Sequence, residues 1–270
     1  MRRIIVAALA AILAALVVLP AYAIRYGEPD NNEHPYVGLA VFNDADTKPM
    51  WRCSGTLISP TVFLTAGHCT EPPAESATIW FEEDIRNGSA LGYPFGGSTS
   101  VTGTPYTHPQ YNPDAFFLFD LGVVVLDSPV ELDKYGVLPK LGAVDALVSG
   151  KGKKDKTITA VGYGLQSVRP VLSQDRLRLK ADLQIVNVNG TGGIPKGTSM
   201  FVSGDAAKGG TCFGDSGGPQ FQKGTNIILA VTSFGLNGNC TGVGGGYWID
   251  EADDLEWINS FLNGDDDADQ

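Results

Sequence analysis

The sequence predicts an all-β fold that ends in a single α-helix. Short apolar or alternating runs recur along the chain, separated by Gly, Pro, Asn and Asp, and this is the pattern of many short strands. These runs are Val37–Phe42, Thr56–Ile58, Gly122–Leu126, Thr157–Val161, Asp182–Val188 and Ile227–Phe234. Near the end, acids in a first turn are followed by apolar residues at helical spacing, which predicts a helix over about 252–262.

The first 23 residues have the pattern of an export signal. Arg2 and Arg3 give a positive start, residues 4–19 are uninterrupted apolar sequence, and Ala21-Tyr22-Ala23 is a small-x-small cleavage signal. The apolar run is shorter than the roughly 20 residues that a membrane span needs. We therefore predict a cleaved signal peptide over 1–23, a secreted protein, and no stable membrane contact after cleavage; an uncleaved anchor is the alternative.

The remaining chain is acidic and long enough for one large or two medium cores. The formal net charge is −11, and the leader carries two arginines and no acid, so the mature chain has a charge of −13. This charge argues against nucleic acid as a partner. Residues 263–270 are predicted to form a solvated acidic tail, and the basic segment 151–156 a surface turn.

Residues 214–219 read Gly-Asp-Ser-Gly-Gly-Pro. Glycines at 214, 217 and 218 permit a tight turn and leave open space in front of Ser216 Oγ. Taken alone, the same residues also fit a glycine-rich hairpin with an incidental serine.

Two other motifs supply what a serine nucleophile needs. The segment Thr-Ala-Gly-His-Cys at 65–69 follows an apolar run and places His68 at the end of a predicted strand. Asp120 lies at the start of the β-branched strand 122–126. Serine catalysis requires a base that takes the hydroxyl proton and an acid that orients this base.

With these motifs in the order His68, Asp120, Ser216, the chain resembles the chymotrypsin-fold (trypsin-like) serine proteases. The resemblance covers about residues 24–262. Four weaker motifs of the family lie in the expected places: Cys53–Ile58, His108–Asn112, Gly162-Tyr163-Gly164 and Ser233-Phe234-Gly235.

The resemblance implies two packed antiparallel six-stranded β-barrels of chymotrypsin type, followed by the C-terminal α-helix. We expect a single protease domain over 24–262, with the N-terminal barrel at about 24–130 and the C-terminal barrel at about 139–250. The proline-containing segment Ser128–Pro139 is the predicted link between them. The active site then lies in the cleft between the barrels.

The resemblance also assigns roles to the three motif residues. Ser216 is the expected nucleophile, His68 the general base and then acid, and Asp120 the residue that orients His68. The N–H groups of Gly214 and Ser216 form the expected oxyanion hole.

Two other acids are candidates for the role of Asp120. Asp114 lies in a loop with proline and aromatic residues, and Asp127 lies at the far end of the strand, so Asp120 is preferred. His34 and His108 both precede proline and are predicted to have structural or solvent roles.

Four cysteines in an exported chain predict two disulfides, and three pairings are open by arithmetic. The resemblance selects Cys53–Cys69 and Cys212–Cys240. A zinc site at Cys53, His68 and Cys69 is the competing interpretation, although its spacing fits no common zinc pattern. We therefore predict no metal and no cofactor.

In the family, the acid before the nucleophile pairs with the α-ammonium of the mature N-terminus, which implies a pairing of Asp215 with Ile24. The segment Ile24-Arg25-Tyr26-Gly27 matches the family's mature start only in part. Ile24 directly follows the predicted cleavage signal, so we expect signal peptidase itself to create the activating terminus.

Substrate preference follows from the family's pocket positions. Gly210 occupies the pocket floor, where cleavage after Lys or Arg needs an acid. Gly235 and Gly245 (or Gly246) are expected to line open walls, which suits large apolar side chains. The backbone of Ser233, Phe234 and Gly235 is expected to pair with the substrate as an added strand.

The predicted function is a secreted, monomeric serine endopeptidase acting on polypeptides. Two alternatives remain open at this point: a catalytically silent binding protein on the same fold, and a hydrolase acting mainly on esters.

Overall fold

The structure is a computed structural model that describes residues 24, 27–149, 156–166, 168, 175–204 and 209–263. The predicted signal peptide, the basic residues 151–155 and the acidic tail beyond residue 263 lie outside this part of the chain.

The described residues form thirteen strands and three α-helices. In chain order the strands are β1 (Glu28–Pro29), β2 (Val37–Asn43), β3 (Pro49–Leu57), β4 (Val62–Thr65), β5 (Ser76–Trp80), β6 (Val101–Thr107), β7 (Gly122–Leu126), β8 (Thr157–Gly162), β9 (Leu179–Asn187), β10 (Ser199–Gly204), β11 (Pro219–Gln222), β12 (Ile228–Gly235) and β13 (Gly242–Trp248). The helices are α1 (Gly67–Thr70), α2 (Ala143–Ser149) and α3 (Ala252–Leu262).

The first six-stranded barrel runs in the order β2-β3-β4-β7-β6-β5 and closes where β2 pairs with β5. Every residue of β2 is buried, as expected for a strand whose side chains face a core or a neighbouring element on both sides. In the antiparallel pairing of β4 with β7, Thr65 lies opposite Gly122. The segments that carry His68 and Asp120 therefore leave the barrel side by side.

The second barrel runs in the order β9-β10-β13-β12-β11-β8 and closes where β8 pairs with β9. The turn that carries Ser216 leads directly into β11. The predicted fold of two antiparallel six-stranded barrels and a terminal helix is confirmed.

Some details differ from the sequence prediction. Strand β1 pairs with β9 of the second barrel, although its residues were expected in the first barrel, at about 24–130. The stretch 88–103, which contains none of the predicted strand runs, has a 3₁₀ turn at Gly88–Leu91 and the start of β6 at Val101. Helix α2 was not predicted, because seven residues give too little periodicity to be recognised.

A buried arginine joins the two barrels. Arg178 is fully buried, and its guanidinium donates to Asp30 Oδ2 at 3.0 Å. It also donates to the carbonyl oxygens of Val37 and Phe81 in the first barrel, each at 3.0 Å. A buried charge is tolerated only when its donors are satisfied, so these contacts fix the first barrel against the second.

Helix α3 crosses back to the first barrel. The ring of Trp257 lies edge-on to His108 with centroids 4.9 Å apart, and Phe261 packs on Tyr106 at 5.2 Å.

The helices in the described part of the chain include none with the length and hydropathy of a membrane span.

Candidate active site

His68 lies on α1, the short helix that follows β4. A Cβ on Gly67 would approach the backbone nitrogen of Leu121 to 3.0 Å, so glycine allows this helix to lie directly against the segment that carries Asp120. The disulfide between Cys53 and Cys69 ties the same helix to β3.

Asp120 is fully buried and accepts hydrogen bonds from three groups. The backbone N–H of His68 donates to Oδ1 at 2.8 Å, and the ring Nδ1 of His68 lies 2.9 Å from Oδ2 and 3.1 Å from Oδ1. The Ser233 hydroxyl donates to Oδ2 at 2.5 Å. Phe119 adopts a left-handed backbone with φ 53°, which turns the chain just before Asp120. The other two acids considered for this role, Asp114 and Asp127, are exposed.

The surroundings of His68 favour its charged form. Burial opposes protonation of the imidazole, but the charge of Asp120, the hydrogen bond to it and the more distant charge of Glu71 outweigh burial and raise the pKa of His68. An imidazole held in this way can accept a proton from a neighbour and stabilise the resulting positive charge.

Ser216 lies half-buried on a turn that packs against the end of β4. Gly217 has a φ of 75°, and a Cβ there would come within 2.0 Å of Thr65 Oγ1 and 2.7 Å of the Ala66 nitrogen. Only glycine permits this approach, which places the serine turn beside the segment that leads to His68. Of the hydrogen bonds that involve described residues, none joins Ser216 Oγ to the His68 ring.

Asp215, the neighbour of Ser216, points into the protein interior. Its carboxylate accepts the N–H of Gly164 at 2.8 Å and that of Cys212 at 2.9 Å. Burial raises the pKa of Asp215 to about 7, although these two bonds and the charge of Arg52 partly offset it. Among the described residues, no salt bridge reaches this carboxylate, so burial sets the direction of the shift.

Ile24 is fully buried in the core of the second barrel. In the full chain it is preceded by residue 23, so its nitrogen belongs to a peptide bond. No ion pair joins Ile24 to Asp215 among the residues described, and their predicted pairing stays a prediction for the mature chain.

The predicted substrate-binding residues lie around β12 and β13. Ser233 is buried at Asp120, Gly235 is exposed, and the ring of Phe234 covers Gly245, where a Cβ would lie 2.2 Å from the ring. Gly210 is buried against Gly204, since a Cβ on it would meet the Gly204 Cα at 2.8 Å.

A small cavity of about 10 Å³ lies beside Gly235, between β10, β13 and the Cys212–Cys240 disulfide. A larger groove of about 1000 Å³ lies elsewhere, along β8, β9 and the turn after β11, and its described lining includes none of the predicted site residues.

Both predicted disulfides are present, Cys53–Cys69 and Cys212–Cys240. The first bears on the alternative of a zinc site. The sulfur atoms of Cys53 and Cys69 do lie close to a nitrogen of His68, but they are bonded to each other. No thiolate is therefore left there to bind zinc.

Two residues near the site were missed by sequence reasoning. The Ser54 hydroxyl donates to the Gly214 carbonyl at 2.9 Å, and the charge of Glu71 helps to raise the pKa of His68. Ser54 could have been noticed as a polar residue beside Cys53, but its contact is 160 residues away in sequence.

Together, the fold and this arrangement define a two-barrel hydrolase of the chymotrypsin type. The sequence matches the profile of the Trypsin family over residues 24–258, and the chain belongs to this family of serine endopeptidases.

Individual relatives agree with this assignment. The chain is 29% identical to brachyurin of Leptuca pugilator over 195 residues, which cover 71% of this chain and 79% of brachyurin. It is 27% identical to trypsin of Saccharopolyspora erythraea over 220 residues, 77% of this chain and 85% of that trypsin. Among solved structures, HL collagenase shares the fold with a TM-score of 0.68 at 21% identity, covering 88% of this chain and 98% of its own.

Proposed function

We propose that this protein cleaves peptide bonds through Ser216, His68 and Asp120. The observation that carries the proposal is the buried Asp120, bonded to both the backbone and the ring of His68, next to the turn that holds Ser216.

The chemistry uses each group in turn. Ser216 Oγ bonds to the scissile carbonyl carbon while its proton passes to His68 Nε2. The C–N bond then breaks, and His68 gives this proton to the departing amine, which leaves an ester on Ser216. A water molecule repeats the sequence, losing one proton to His68, and releases the carboxylic acid and the serine hydroxyl.

The oxyanion formed in each half-reaction is bound by the N–H groups of Gly214 and Ser216. Gly214 has a φ of 94°, a backbone conformation that favours glycine, and it lies two residues before Ser216. Amides fixed in advance around a developing negative charge lower the barrier without reorganising at the moment of reaction.

The mature enzyme starts at Ile24 in this proposal. Its α-ammonium enters the protein and pairs with Asp215, a buried carboxylate that accepts two backbone N–H groups and forms no salt bridge with another described residue. Removal of the export signal over 1–23 thus both accompanies secretion and activates the enzyme. The active form is monomeric.

Preference for large apolar residues before the cut is the remaining part of the proposal. It is supported by the exposed Gly235 and by the absence of an acid at position 210 that could bind a basic side chain. The Phe234 ring, which covers Gly245, has to move aside to admit a large side chain. Faster hydrolysis of Arg than of Phe substrates would refute this preference.

The test is digestion of a peptide library and of a denatured protein by the purified mature chain, with Ser216→Ala as control. We expect cleavage mainly after Phe, Tyr or Leu and none by Ser216→Ala. Turnover of small esters without cleavage of the denatured protein would favour an esterase. Absence of turnover on every substrate would favour a silent binding protein.

A further inference from the structure

The Ser54 hydroxyl connects the first barrel to the turn that carries the nucleophile. Ser54 lies on β3 and is fully buried. Its Oγ donates to the carbonyl of Gly214 at 2.9 Å and accepts the backbone N–H of Tyr163 at 3.0 Å. Both partners belong to the second half of the chain, so a single hydroxyl spans the gap between the halves.

The peptide group that Ser54 contacts lies between the two amides of the proposed oxyanion hole. This peptide joins the Gly214 carbonyl to the Asp215 nitrogen, and that nitrogen donates to the carbonyl of Cys212 at 3.0 Å. The peptide plane is therefore held at both ends. The Gly214 N–H lies on one side of it and the Ser216 N–H on the other, so its orientation sets the angle between the two donors.

The backbone of Ser54 holds the same turn. Its N–H donates to the Ser216 carbonyl at 2.8 Å, and its own carbonyl accepts the Thr65 hydroxyl at 2.8 Å. The preceding residue, Cys53, is bonded to Cys69, the neighbour of His68. Ser54 thus fixes the position of the Ser216 turn relative to the helix that carries the base.

We propose that Ser54 is a positioning residue whose hydroxyl holds the Gly214–Asp215 peptide so that both oxyanion-hole amides point at the developing charge. This inference rests on the proposed function. Because the peptide would retain its bond to Cys212 without the hydroxyl, loss of Ser54 Oγ should misalign the donors rather than remove one. The effect should be smaller than the roughly 10²–10³-fold cost of a lost donor.

The experiment compares wild type, Ser54→Ala and Ser54→Cys in the mature protein. The control is Tyr135→Phe, which also removes a hydroxyl that donates to one carbonyl, that of Val130, and accepts one N–H, that of Leu132. Two inhibitors complete the design: a peptide aldehyde ending in the residue preferred in the library digest, and the matching peptide alcohol. The aldehyde forms a tetrahedral adduct with the nucleophile, and the alcohol cannot.

For Ser54→Ala we expect kcat to fall about 10–100-fold with KM changed less than about threefold. Aldehyde affinity should fall in parallel while alcohol affinity stays constant. Ser54→Cys keeps a weaker donor, so its kcat and its aldehyde affinity should lie between those of wild type and Ser54→Ala. It also provides the same test if the alanine variant does not fold. Tyr135→Phe should match wild type in both affinities.

If the wild-type protein is active, either of two results would overturn this inference and leave the proposed function intact. One is a kcat for both Ser54 variants within about twofold of wild type, and the other is an equal loss of aldehyde and alcohol affinity. A wild-type protein that cleaves no peptide would overturn the proposed function and this inference with it.

Discussion

Ser233 donates its hydroxyl to Asp120 at 2.5 Å from the opposite barrel, across 113 residues of sequence. Asp120 is thereby held by the second barrel as well as by His68 in the first. Because Asp120 orients the His68 ring, this bond makes the orientation of the proposed base depend on how the two barrels pack together.

Replacing Ser233 by alanine should cost both stability and activity. A hydrogen bond to a charged group contributes about 1.5–3 kcal/mol, and we expect the free energy of unfolding to fall by about this amount. Denaturant unfolding and kcat/KM measure the two effects. Ser100→Ala removes a partly exposed hydroxyl whose hydrogen-bond partners among the described residues are the Gly97 backbone groups, and it should change neither quantity. Wild-type stability and activity in Ser233→Ala would show that the bond is not important.

The rate should depend on pH through His68. The base acts in its neutral form, and its pKa is raised, so kcat/KM should fall on the acid side with a midpoint above the ordinary value of about 6.5. Asp120→Asn removes the charge that raises this pKa, so its midpoint should move down and its kcat should drop by about 10⁴-fold. A wild-type midpoint below 6.5 would contradict this account.

The proposed ion pair of Ile24 with Asp215 makes activity sensitive to alkaline pH. An α-ammonium titrates near 8 when exposed, and pairing with a carboxylate raises that pKa, so activity should decline as the ammonium loses its proton. One added residue before Ile24 should suppress activity at every pH. N-terminal sequencing of the secreted protein is the direct check: a start other than Ile24, or a rate flat well beyond pH 10, argues against the pairing.

A second buried acid should make stability depend on pH. Asp254 is fully buried and accepts the Tyr247 hydroxyl at 2.8 Å. Its Oδ1 has no hydrogen bond within the described part of the chain and lies 3.9 Å from the ring Nε2 of His108. Burial raises the pKa of Asp254 to about 7; the Tyr247 hydrogen bond opposes the shift, and the neighbouring acids Asp253, Glu251 and Asp250 add to it.

The folded protein therefore keeps this carboxyl neutral at a pH where the unfolded chain has lost the proton. Its contribution to stability is complete below about pH 4 and is lost as pH rises to about 7, by about 4 kcal/mol at most. Asp254→Asn should flatten this part of the curve of unfolding free energy against pH. Equal slopes in wild type and Asp254→Asn between pH 4 and pH 7 would contradict the assignment.

The sequence predicted the fold and much of the candidate site, because the relevant information is local. Strand runs such as 122–126 and the motifs at His68 and Ser216 are contiguous in sequence. Contacts between distant residues could not be derived in this way. Arg178 gives no sign of its bond to Asp30, 148 residues away, and the Ser54 hydroxyl gives none of its bond to Gly214.

The central claim is that His68 activates Ser216, and covalent labelling tests it most directly. The mature protein is treated with an organophosphonate, and the modified residue is located by mass spectrometry of its peptides. We predict one adduct on Ser216 in wild type and almost none in His68→Ala or Ser216→Ala variants that unfold at the same temperature as wild type. Labelling of Ser216 at an unchanged rate in His68→Ala, or no labelling of wild type, would contradict the account.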